Sequence, residues 1–113
     1  MSALLDTTNL DELLAMLGDE FRDIVRQYVD QLEDEVAQLA ALCAQRDWEA
    51  LTRMAHSLKG SSGNMGAVML AAAAARLEHA ARAHDEAEIE SALLELPDLA
   101  RRTAAALRAG RYA

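Results

Sequence analysis

The run Ala55-His56-Ser57-Leu58-Lys59-Gly60-Ser61-Ser62-Gly63-Asn64-Met65-Gly66 holds the residues of this chain whose types and spacing could do chemistry. Imidazole has an ordinary pKa near ~6.5, so an exposed ring at neutral pH is largely uncharged and offers a lone pair on one nitrogen. At ~100° per residue, Trp48, Leu51, Ala55, Leu58 and Ser62 share one side of a helix, the side expected to face a core. His56 falls well off that side, with Thr52, Arg53, Lys59, Gly60 and Gly63 as its neighbours at three, four or seven residues' spacing. Glycine inside a helix costs ~1 kcal/mol relative to alanine, and this chain uses alanine freely elsewhere. Two glycines on the displayed face therefore need a reason, and the usual one is that a ligand or another backbone must come close. A lone surface histidine would be unremarkable. A nucleophilic nitrogen with a lysine one turn on and cleared ground beside it points to an anion that arrives attached to something bulky.

Helices must carry that face. The chain has 113 residues, enough for one domain with a single core; it is 52% hydrophobic, but only 4% aromatic, with one proline. Such a core is built from Leu, Ala, Val and Met, and no alternating β-branched run suggests a strand. Residues 1–8 are expected to be a flexible tail. Asn9 with Glu12 reads as a capping box that opens a short helix on Leu10, Leu13, Leu14 and Leu17, stopping at Gly18. A long helix follows from Asp19 to about Arg46 on Phe21, Val25, Tyr28, Leu32, Val36, Leu39 and Cys43. Its acidic groups Asp30, Glu33, Asp34 and Glu35 read as a solvated face, because a calcium loop needs glycine-turn geometry. Asp47 can cap the helix that bears His56, and Gly66 can end it. The next helix, Ala67 to about Ala83, has Leu70, Ala74, Leu77 and Ala81 as its inner stripe. The last, from Asp85 or Glu86 to Ala109, keeps its apolar phase across Pro97, which predicts one kinked helix. Residues 110–113 are expected to fray. The fold class expected is all-α: an antiparallel up-down-up-down four-helix bundle over residues 9–109, with a short additional N-terminal helix.

The formal net charge of -8 argues against nucleic acid and anionic membrane as partners. No stretch approaches the ~20 apolar residues of a membrane span, and the N-terminus has no signal-peptide pattern. Cys43 is the only cysteine, so no intramolecular disulfide can form and a cytoplasmic location is expected. His79 and His84 have no metal-ligand pattern around them. The short loops leave no room for a lid or deep cleft, which counts against a conventional enzyme.

The string His56-Ser57-Leu58-Lys59-Gly60, with Gly63, Gly66, Leu70 and the Leu77-Glu78 pair after it, resembles the signature of histidine-containing phosphotransfer (HPt) domains. These are relay modules of multistep two-component signalling. The resemblance implies that His56 takes a phosphoryl group on Nε2 from one receiver aspartate and hands it to another, with Lys59 near the phosphoryl oxygens. It implies that Gly60 and Gly63 give the receiver's loops room to reach the ring. Docking also needs an apolar patch: Ile24 is a candidate beside Thr52, Arg53 and Ser57, and Met16 and Leu17 are others. Ser57, Ser61, Ser62 and Asn64 could hydrogen-bond the phosphoryl group or cap the helix end. Expected partners are response-regulator receiver domains and a hybrid sensor histidine kinase. The chain is expected to be a monomeric carrier and not an enzyme, binding no cofactor itself, with Mg2+ held by the receiver. Two alternatives stand beside this. One is the phosphorylatable domain of a chemotaxis-type or hybrid sensor kinase, although this chain has no G-x-G ATP lid; the other is a non-phosphorylated helical adaptor, against which the presence of His56 speaks.

Overall fold

The computed structural model describes residues 3–113, and every regular element among them is a helix: α1 (Thr7–Leu17), α2 (Asp19–Ala44), α3 (Trp48–Asn64), α4 (Val68–Arg82) and α5 (Glu86–Ala109). Successive long helices are joined by three residues, so neighbours run antiparallel. Helix α2 packs on α3 and α5, and α4 packs on the same two, which closes an up-down-up-down bundle around one core; α1 lies against α2. Apolar residues at three- and four-residue spacing supply that core. They include Phe21, Val25, Leu32 and Leu39 from α2, Leu51, Ala55 and Leu58 from α3, Leu70, Ala74 and Leu77 from α4, and Ile89, Leu96 and Leu107 from α5. Trp48, on the same side of α3, is half-buried at the rim, its ring centroid 6.3 Å from that of His84.

The long helices all finish with one backbone device. An amide just past the end returns to the carbonyl five residues back: Asp47 to Leu42 (3.1 Å), Ala67 to Ser62 (2.8 Å), Asp85 to Ala80 (3.0 Å) and Tyr112 to Leu107 (2.9 Å). This Schellman closure needs a left-handed residue just before that amide. Gly66 supplies it at φ 66, whereas Arg46, His84 and Arg111 adopt φ 56, 56 and 64 without glycine's freedom. Asp47 and Asp85 then cap the next helix, accepting from the amides of Ala50 and Glu88. Between α1 and α2 a single residue, Gly18, makes the whole turn at φ 58, ψ -130, a region open in practice to glycine alone.

Both chain ends depart from expectation. Helix α1 begins at Thr7, and its cap is Asp6, not Asn9: the Asp6 carboxylate accepts from the Thr8 amide at 3.2 Å. The Asp6 amide donates to the Gly66 carbonyl (2.7 Å), and Leu4 and Leu5 pack on the core. The placed part of the expected tail, residues 3–8, is thus held by apolar contact and a backbone tie to the α3–α4 turn. Met1 and Ser2 lie outside the described residues. At the other end, residues 110–113, expected to fray, make contacts with α1 and α2. Tyr112 is buried, its hydroxyl donates to Asp11 of α1, and the Arg111 carbonyl accepts from Arg22 Nε at 3.0 Å. Helix α5 runs unbroken through Pro97. The proline is on the exposed side, where water can satisfy the carbonyl it leaves without a donor.

Candidate functional site

Helix α3 carries His56 outward while burying Ala55 and Leu58 beside it, and the imidazole side chain is 65% exposed. Gly60 and Gly63 are also exposed, and a Cβ added at either would meet nothing within 4 Å. Nothing within the chain therefore requires glycine at these two positions.

Facing the ring across the α3–α4 interface is Glu78. It falls in phase with Ala74, Leu77 and Ala81 on the inner stripe of α4, and its side chain is only 6% exposed. A carboxylate so placed must find partners. Its Oε1 accepts from the Lys59 ammonium at 2.9 Å. Its Oε2 accepts from His56 Nδ1 at 3.0 Å and from the Arg82 guanidinium at 2.8 Å. The Lys59 hydrogen bond is the largest influence on the Glu78 carboxyl, and those from His56 and Arg82 add to it. Together they outweigh burial and bring the carboxyl from an ordinary 4.5 down to about 2.

That ionisation decides the state of the histidine. A carboxylate can only accept, so Nδ1 carries the proton in this pair and the neutral ring keeps its lone pair on Nε2, the nitrogen turned away from Glu78. Four side chains, His56 and Lys59 from α3 with Glu78 and Arg82 from α4, thus form one connected network on a half-open face. It orients the imidazole, fixes its tautomer and gathers two cations on Glu78. Among the described residues, no three His, Cys, Asp or Glu side chains are grouped so as to hold a metal ion.

Other expected site residues take varied positions. Lys59, expected beside an incoming group, is paired with Glu78 and is 39% exposed. Thr52 is half-buried and bonds back to the Trp48 carbonyl at 2.7 Å. Arg53 pairs with Glu49 at 3.0 Å on the surface, and Ser57 is exposed. Ser62 is buried in a 2.7 Å hydrogen bond with the Tyr28 hydroxyl, and burial pushes that phenol up to about 12. Ser62 is thus committed to the core and does not reach the displayed face. Ser61 bonds the Leu58 carbonyl at 3.2 Å, and Asn64 is the last residue of α3.

Met16, Leu17 and Ile24 are all exposed. The Tyr28–Ser62 bond sets the antiparallel register of α2 on α3, so Ile24 lies toward the Gly66 end of α3, about 15 Å along the axis from His56 at 1.5 Å per residue. A standard protein interface covers roughly 800 Å² per partner, so Ile24 would sit at the margin of one centred on the ring. Glu78 and Arg82 were not singled out for a role by sequence reasoning. The available signal was a carboxylate on an otherwise apolar inner stripe, with an arginine one turn beyond it.

The family model for the Hpt domain matches residues 23–109. The sensory/regulatory protein RpfC of Xanthomonas campestris pv. campestris, in two strains, is 37% identical over 76 residues, 66% of this chain. This chain spans about 10% of the length of those relatives. The crystal structure of histidine-containing phosphotransfer protein B (HptB) from Pseudomonas aeruginosa PAO1 superposes with a TM-score of 0.91 at 28% identity, covering 98% of this chain and 96% of that one. With its helical bundle and its signature histidine on the displayed face of α3, this chain belongs to the Hpt domain family, the histidine-containing phosphotransfer domains.

Proposed function

We propose that this chain is a cytoplasmic phosphoryl carrier of a multistep phosphorelay, loaded and unloaded at His56 by receiver domains. The observation that carries the reading is the 3.0 Å contact between His56 Nδ1 and the ionised Glu78, which leaves the lone pair on Nε2 of a side chain that is 65% exposed. In the forward step that lone pair forms a bond to the phosphorus of an aspartyl phosphate. The bond from phosphorus to the aspartyl oxygen breaks, and the aspartate leaves as a carboxylate with the electron pair. The ring, still protonated on Nδ1, becomes cationic against Glu78, and the return step reverses each of these changes.

Such transfer needs chiefly alignment and charge neutralisation. Lys59 offers an ammonium one turn from the ring, as a mobile point charge. Both Glu78 oxygens are already engaged by Lys59, His56 and Arg82, so in this reading the Mg2+ belongs to the receiver's acidic pocket. The site is therefore completed only in the complex, and the chain is a substrate of its partners and not an enzyme. Gly60 and Gly63 give the receiver's loops their approach. Thr52, Arg53 and Ser57 border the contact, with Ile24, Met16 and Leu17 as its apolar margin.

The likeness to HptB, a histidine-containing phosphotransfer protein, supports a phosphoryl carrier, which in this reading acts as a monomer between receivers. The match to a tenth of RpfC supports a second reading, in which the same module serves a larger sensory/regulatory protein such as a hybrid sensor kinase. One assay tests the chemistry common to both. A phosphorylated receiver domain with Mg2+ should place an acid-labile, base-stable label on the wild-type chain and none on His56→Gln. Absence of label with every receiver tried, or label persisting on His56→Gln, would overturn the assignment.

A further inference from the structure

We infer that Arg82 is a positioning residue for this transfer, holding Glu78 in place when Lys59 turns from that carboxylate to the incoming phosphoryl group. The inference rests on the His56 reading above and adds a residue that acts through Glu78 without touching the reacting atoms. Glu78, at 6% exposure, has little water to fall back on and depends on its three partners. Two of those partners are altered by the reaction. His56 gains a negatively charged group on Nε2, and Lys59 is on the same helix face one turn away, with its Nζ now 2.9 Å from Glu78 Oε1. To meet the new anion the ammonium must loosen that contact. A buried carboxylate losing its principal cation would draw Lys59 back.

Arg82 is the partner that the reaction leaves alone. It projects from α4 one turn beyond Glu78, is 67% exposed, and donates at 2.8 Å to Oε2, the same oxygen that takes the Nδ1 proton. Its guanidinium is permanently charged and planar, so it compensates and orients that oxygen while Lys59 moves. Neighbouring arginines are engaged elsewhere: Arg53 with Glu49, and Arg76 with Glu88 and Glu95. Arg82 also lies in the last turn of α4, where a cation suits the helix dipole. A purely structural role is thus the alternative that the test must separate.

The experiment follows label transfer from a radiolabelled receiver domain to the full chain, with circular dichroism confirming that each variant is folded. Arg82→Ala should slow transfer by roughly fivefold or more, as expected when a charge-assisted contact to the transferring group is weakened. Arg82→Lys should restore most of the rate. The double variant Lys59→Ala/Arg82→Ala should be no slower than Lys59→Ala alone, because Arg82 acts by releasing Lys59. A wild-type rate in Arg82→Ala, no rescue by lysine, or losses that multiply in the double variant would each overturn the inference while leaving His56 as the carrier. Failure to label the wild-type chain, or label surviving His56→Gln, would instead remove the reading on which it rests.

Discussion

Replacing Glu78 by glutamine keeps the shape of the side chain and an acceptor for the Nδ1 proton but removes the buried charge. A carboxyl held at about 2 against an ordinary 4.5 corresponds to ~3 kcal/mol of stabilisation at neutral pH. Its cationic partners Lys59 and Arg82 are 39% and 67% exposed, so solvent screening brings the net to roughly 1–2 kcal/mol. For a domain of this size that lowers Tm by roughly 5–10 °C. The sign with pH follows from the direction of the shift. The folded carboxyl is the stronger acid, so its contribution is complete above the unfolded value near ~4.5 and is lost as pH falls through about 2. Urea titrations of wild type and Glu78→Gln, followed by circular dichroism between pH ~7 and ~2.5, should show a gap that is constant at the upper end and closes toward the lower. A gap that holds its size, or widens, down to pH ~2.5 would refute the account of Glu78 as an ionised, paired carboxylate. Transfer rates give a second check, since Glu78→Ala leaves Nδ1 with no acceptor and should be slower than Glu78→Gln.

Gly60→Ala and Gly63→Ala add a methyl into open space on a helix, so each should raise stability by up to ~1 kcal/mol. If the glycines clear the way for a receiver, transfer to the same variants slows, read as a weaker Kd for the receiver or a lower rate at fixed receiver concentration. Gly66→Ala should do the opposite to stability. Its φ of 66 and a Cβ placed 2.8 Å from the Asp6 carbonyl oxygen and 3.2 Å from Leu10 Cγ predict a loss of roughly 2 kcal/mol or more by urea denaturation. Arg111→Gly relieves a left-handed residue at φ 64 whose carbonyl, not its side chain, takes the Arg22 hydrogen bond. It should stabilise by roughly 0.5–1 kcal/mol, seen as a higher Tm.

The bundle was legible because its signal is periodic and redundant. Each helix repeats an apolar stripe over three turns or more, and Asp47, Gly18 and Gly66 mark ends by local chemistry that does not depend on the rest of the fold. The chain ends were misread for the converse reason. Asp6 caps α1 while also pairing with the Gly66 carbonyl, and Tyr112 is held by Asp11 and the α5 end. Such contacts join residues far apart in sequence, and local pattern does not reveal them. At the site, exposure of His56 followed from its place on the wheel of α3 alone. Glu78 reaches the histidine from α4, with Arg82 bonded to the same carboxylate, across an interface whose register only the folded bundle defines, so the sequence shows a carboxylate on an apolar stripe but not what it contacts.

The three glycines of the stretch around His56 have two different physical causes, which the sequence presents as one motif. Gly66 answers to the fold of the chain itself: its positive φ closes α3, and its α-carbon lies against Asp6 and Leu10, where a side chain has no space. Gly60 and Gly63 answer to nothing inside the molecule, since a methyl at either is unopposed and would favour the helix. Residues that weaken a fold without an internal reason mark where selection acts on an encounter. That pair lies on the face of α3 that also bears His56 and Lys59, which fits the proposed approach of a receiver to the imidazole. In the proposed relay this chain's half of the encounter is prepared through Glu78, which sets the tautomer at 3.0 Å from Nδ1, and the two glycines leave open space on the same face.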